Sequence, residues 1–86
     1  MSGEKVMLVE DDSDIREILQ LYLQKEGYHI IHAEDGTTAL RLLDEKKPDI
    51  IILDVVLPGM DGFEVCRLLR QKTNIPILFL SSKEDE

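Results

Sequence analysis

The stretch Asp49-Ile50-Ile51-Ile52-Leu53-Asp54-Val55-Val56-Leu57-Pro58-Gly59-Met60-Asp61-Gly62 constrains this chain more than any other. Four consecutive apolar residues, Ile50 to Leu53, run directly into the carboxylate of Asp54. Three of the four are β-branched, and an unbroken apolar run bounded by turn residues suits a strand buried on both faces. Such a strand belongs in the middle of a parallel sheet. Pro58, Gly59 and Gly62 forbid its simple continuation. In open α/β sheets ligands bind beyond the carboxyl ends of the strands. Asp54 therefore reads as an acid delivered to a functional edge by a rigid element, although an acid in that place also serves as an ordinary turn cap.

The same pattern recurs along the chain. Lys5 to Val9 is a short apolar run followed at once by Glu10-Asp11-Asp12-Ser13-Asp14. The run suits a buried strand, and the acidic segment opens a helix in which Asp12, Ser13 or Asp14 can act as N-cap. Ile15, Ile18, Leu19 and Tyr22 follow helical spacing, Leu23 lies beside them, and Gly27 supplies the stop. Tyr28 to Ala33 reads as a second strand, broken by Asp35-Gly36. A second helix, capped by Thr37 or Thr38, reaches about Lys46 with Ala39, Leu40 and Leu43 as its stripe, and Pro48 ends it. Asp61 caps a third helix whose inward residues are expected to be Phe63, Cys66, Leu69 and Leu68. Ile75 to Leu80 forms a fourth apolar strand, followed by Ser81-Ser82 and an acidic tail.

Strand and helix thus alternate three times before a final strand. That order predicts an α/β fold: a doubly wound parallel sheet of flavodoxin-like topology, strand order 2-1-3-4, with helices on both faces. The 86 residues make one domain, residues 1–86, without linker or repeat. Apolar residues at 43% and charged residues at 33% are a globular balance. A net charge of −8 with no basic run disfavours nucleic acid or an anionic membrane as direct partner. No apolar stretch approaches a membrane helix, and no secretory leader opens the chain. Cys66 alone excludes an internal disulfide, so a cytoplasmic location is the expectation.

A parallel sheet gathers the residues beyond its strands along one edge. Here they are Glu10, Asp11 and Asp12 from the first strand, Asp54 from the third, and Ser81 and Ser82 from the fourth. Carboxylates held this close repel, so one should have a raised pKa unless a cation joins them. Few, hard oxygen ligands suit Mg²⁺ better than Zn²⁺, and no His/Cys cluster competes. Helix capping explains one or two of the first-strand acids; it does not explain a second strand that ends in Asp.

These pieces together resemble the receiver domain of two-component response regulators, which is CheY-like. The matching segments are Val9-Glu10-Asp11-Asp12, Ala33-Glu34-Asp35-Gly36 with Ala39-Leu40, Pro48 through Asp54, Leu57 to Gly62, and Pro76-Ile77 through Ser81. The resemblance implies that Asp54 is the phosphoacceptor, taking a phosphoryl group from a phosphohistidine on a partner sensor histidine kinase. It implies Mg²⁺ held by Asp11, Asp54 and the Val56 carbonyl, with Glu10 acting through water. Ser81 occupies the place of the hydroxyl that bonds the phosphoryl group, and Asp12 is a neighbour rather than a ligand. The expected role is a signalling phosphoacceptor and not an enzyme. A small Mg²⁺-dependent phosphohydrolase is disfavoured because neither Val55 nor Val56 can serve as acid or base.

One departure stands against the resemblance. The family continues with a helix, a fifth strand bearing a Lys that pairs the phosphoryl oxygen, and a last helix, whereas this sequence ends at Glu86. Lys83 is too near Ser81 to replace that Lys. The expectation is therefore a receiver lacking the fifth strand and last helix, in which an open fourth-strand edge favours self-association or a complementing fragment. The runner-up role is an interaction or assembly fragment that does not signal. A DNA-binding output domain in a longer parent is compatible with the family but leaves no trace here. His29 and His32 read as surface or edge residues, and Cys66 as a small core residue.

Overall fold

Each apolar run becomes a strand, and the runs lie side by side in the order the alternation predicts. The structure is a computed structural model that describes residues 3–80. Its elements are β1 (Lys5–Val9), α1 (Ser13–Lys25), β2 (His29–Ala33), α2 (Gly36–Lys46), β3 (Ile50–Asp54), α3 (Gly62–Arg70) and β4 (Ile77–Leu80). All pairings are parallel, and the strand order is β2-β1-β3-β4, the CheY-like receiver arrangement expected. In register, Leu8 lies between His32 and Ile52, Val9 between Ala33 and Leu53, and Asp54 beside Leu80.

Right-handed crossovers set the layers. The chain moves one way from β1 to β2 and the other way from β2 to β3 and β4, so α1 lies on one face and α2 with α3 on the other. Met7, Val9, Ala33, Ile51 and Leu53 meet Ala39, Leu43, Val65 and Leu69 beneath α2 and α3. Leu57 closes this core from the loop after β3. On the opposite face Val6 and Leu8 are buried, Ile50 and Ile52 are half-buried, and α1 itself has no buried residue.

Local chemistry explains the ends. Asp12 caps α1, its Oδ1 accepting from the Asp14 and Ile15 N–H groups at 2.9 and 3.2 Å. Asp61 caps α3 as expected, accepting from Glu64 N–H at 2.8 Å. At α2 the expectation is corrected: Asp35 and not a threonine is the cap, accepting from Thr38 N–H at 2.8 Å. The strand-breaking acid is itself the first helix acceptor, which also holds its carboxyl below the usual range.

Two inward stripes are also corrected. In α3 the buried side is Gly62, Val65 and Leu69, with half-buried Cys66 packed against the same core as expected, whereas Phe63 is 62% exposed. Gly36 approaches α3 so closely that a Cβ there would lie 2.5 Å from Val65, which draws Val65 inward and turns Phe63 out. In α1 the half-buried row is Ile15, Leu19 and Leu23. Ile18 and Tyr22 look outward, because a single helix on a twisted sheet covers one row of i, i+4 positions at a time.

Candidate functional site

The acids after β1 divide into three roles. Glu10 N–H donates to the Ala33 carbonyl at 3.1 Å, so Glu10 still belongs to the ladder and is 1% exposed. Asp11 stands in solvent. Asp12 is used by the α1 cap, its Oδ1 accepting from the Asp14 and Ile15 N–H groups.

Asp54 ends β3 and is 3% exposed. Its Oδ1 accepts from Val56 N–H at 3.2 Å, a turn that aims the carboxylate along the sheet edge. The loop returns beneath it. Gly62 N–H donates to the Val55 carbonyl at 2.7 Å, and a Cβ on Gly62 would overlap the Asp54 carbonyl and lie 2.7 Å from Val55 Cα. Only glycine permits that approach.

Glu10, Asp11 and Asp54 can each present a carboxylate oxygen such that all lie within 4.8 Å of one another. Burial pushes the Glu10 carboxyl up to about 7; the Asp12 N–H opposes the rise, and the Asp54 and Asp11 carboxylates add to it. Glu10 Oε2 accepts from Asp12 N–H at 3.0 Å. Its Oε1 is buried and has no hydrogen-bond partner among the described residues. An unpaired buried carboxylate oxygen is costly, so this atom calls for a proton or a cation. The donor set is wholly hard oxygen, which fits a largely hydrated Mg²⁺.

The fold thus brings together three of the residues picked out from sequence, Glu10, Asp11 and Asp54. Val56 follows two residues on, exposed, with its N–H turned to Asp54. Ser81 lies outside the described residues. His32 is a neighbour that the strand pattern did not mark: its Nε2 lies 3.1 Å from the Glu10 carbonyl and 3.3 Å from Arg16 Nη1. The available signal was its place, one residue before the end of β2 and in register with Leu8, two residues before Glu10.

Comparison with known proteins agrees with this geometry. The family model of the response regulator receiver domain matches residues 6–86. A chemotaxis response regulator of Vibrio cholerae is 34% identical with a TM-score of 0.89, over 98% of this chain and 72% of that one. The BeF3-activated N-terminal receiver domain of RstA from Klebsiella pneumoniae is 34% identical with a TM-score of 0.90, over 96% of this chain and 71% of that one. The Thermotoga maritima response regulator TrrA, in complex with Mg²⁺ and BeF, is 36% identical with a TM-score of 0.87, over 94% of this chain and 71% of that one. A longer fusion chain with a trimeric coiled coil matches too, and there this chain spans 56% of the length. A buried acid closing a central parallel strand, two more acids beside it and a match over nearly all residues leave one conclusion: this chain belongs to the response regulator receiver domain family.

Proposed function

We propose that this chain is a phosphoacceptor of two-component signalling and that Asp54 is the residue phosphorylated. The observation that carries the reading is Asp54 itself, buried at the end of a central strand, with Glu10 and Asp11 oxygens within 4.8 Å. An Asp54 carboxylate oxygen would attack the phosphorus of a phosphohistidine on a sensor histidine kinase. The P–N bond breaks, the imidazole leaves and takes a proton from solvent, and Asp54 becomes an acyl phosphate. The Val56 N–H holds the carboxylate in line, and the close approach of Gly62 to the Asp54 and Val55 main chain fixes the backbone that carries it. Glu10, Asp11, Asp54 and the Val56 carbonyl would hold Mg²⁺, which supplies neutralisation of the charge between anionic nucleophile and anionic donor. Ser81 would donate its hydroxyl to the phosphoryl group. On this reading the chain is a substrate of its kinase rather than an enzyme, and it works in the cytoplasm; none of its described helices is long and apolar enough to cross a membrane.

Incubation with acetyl phosphate and Mg²⁺, followed by intact-mass measurement, tests the reading. The parent should gain one phosphoryl group and Asp54→Asn none. Equal labelling of both would refute the assignment.

A second reading, an assembly fragment, is favoured by one observation. Among the described residues β4 is a sheet edge whose Leu78 and Phe79 are 54% and 44% exposed, with the Phe79 ring 5.1 Å from that of the exposed Phe63. An apolar edge is a template for another strand. Light scattering across concentration would show a second copy or complementing fragment pairing there; a monomer at every concentration would sink this reading.

A further inference from the structure

His32 touches the acidic segment yet has no part in the chemistry above. It is half-buried, and its ring lies between the start of α1 and the chain leaving β1. Nε2 is 3.1 Å from the Glu10 carbonyl, an oxygen that can only accept. Glu10 is 1% exposed, and no other donor among the described residues reaches that oxygen. Buried carbonyls are paired, so the hydrogen belongs on Nε2. Arg16 Nη1, 3.3 Å from the same nitrogen, is then a neighbour that walls in the ring rather than its donor.

With that bond, both main-chain groups of Glu10 are held by the end of β2: its N–H by the Ala33 carbonyl at 3.1 Å and its carbonyl by His32. The Glu10 carbonyl shares a rigid peptide plane with Asp11 N–H and Cα. Holding that oxygen therefore sets the direction in which Asp11 leaves the strand. We infer that His32 is a positioning residue: its Nε2–H fixes the Glu10–Asp11 peptide so that both carboxylates face Asp54 in the arrangement a divalent cation needs. The inference rests on the Mg²⁺ reading above. Residues that orient metal ligands typically change affinity by about 10–100-fold when removed.

The test is a Mg²⁺ titration of the chain, followed by amide shifts, for the parent, His32→Phe and His32→Gln. Phe keeps a ring and loses the donor, whereas Gln restores an N–H at similar reach. His32→Phe should bind Mg²⁺ about tenfold more weakly, with His32→Gln returning most of the affinity. Nitrogen-15 shifts of the parent ring, which need no variant, should show the proton on Nε2. Unchanged affinity in His32→Phe, equal loss in both variants, or a proton on Nδ1 would each overturn the role. A parent that shows no Mg²⁺-dependent shifts at residues 10–12 and 54–56 would overturn the metal reading and this inference together. A parent that binds while His32→Phe binds equally well would overturn this inference alone.

Discussion

The two faces of the sheet differ sharply. Under α2 and α3, Met7, Val9, Ala33, Ile51 and Leu53 are fully buried against Ala39, Leu43, Val65 and Leu69. Under α1, the only described apolar residues fully buried are Val6 and Leu8, and the helix exposes Ile18, Leu21 and Tyr22 at 67%, 70% and 64%. By strand alternation Glu10 and Asp54 continue the rows of Leu8 and Ile52, the thinly covered side, while Val9 and Leu53 beside them anchor the filled side. The site therefore stands on a backbone made rigid from one face, and its two buried carboxylates, Glu10 and Asp54, accept from the Asp12 and Val56 N–H groups of cap and loop. Stability should reside on one face and chemistry on the other.

The largest effect that could break this contrast is a truncation. Leu53→Ala should lose about 3 kcal/mol or more, since it empties a fully buried position. The same kind of truncation at Leu21, 70% exposed, should change stability by no more than about 0.5 kcal/mol. Denaturant unfolding of both variants measures the difference, and similar losses would mean that the two faces are equally packed.

The pH dependence sharpens the contrast on the chemical side. Glu10 has its carboxyl raised from 4.5 to about 7 in the folded chain. Between those values the folded state holds a proton that the unfolded state has released, so the contribution is present below about pH 4.5 and lost as pH rises through about 7. Metal-free protein should thus lose stability over that window, on the order of 3 kcal/mol at most. Glu10→Gln should flatten the curve, and Mg²⁺ should reverse the loss at high pH. A stability profile that rises from pH 5 to 7 without metal, and is unchanged by Glu10→Gln, would refute this account.

Gly62 joins the two regions. Gly62→Ala should destabilise by about 2 kcal/mol, because its Cβ meets Asp54 and Val55 backbone that cannot yield as a flexible side chain would. It should also shift the Asp54 amide resonance. A variant as stable as the parent with an unmoved Asp54 signal would show that the turn has slack. The smallest effect belongs to the outer α1 surface. Ile18→Ser and Tyr22→Ser should alter monomer stability by no more than about 0.5 kcal/mol while lowering the binding of dyes to exposed apolar surface. A large loss of stability there would mean that α1 carries core packing after all.

Much of this was open to reading from the chain itself. Continuous β-branched runs ending in acids or turn residues locate the strands, alternation with helical stripes dictates a parallel sheet, and handedness then assigns the helices to faces. Asp54 at a strand end and Asp61 before a helical stripe follow from local rules alone, and both stand as expected. Tertiary structure decided the rest. Among Glu10, Asp11 and Asp12, three similar side chains in a row, only the ladder bond to Ala33 and the α1 cap determine which is buried, which is exposed and which is consumed. The phase of the α3 stripe, with Val65 inward and Phe63 outward, depends on where Gly36 lets α2 approach. His32 reaches Glu10 from 22 residues away. Periodicity records which residues share a face; the neighbour that face meets is fixed only when distant segments compete for the same space and the same hydrogen bonds.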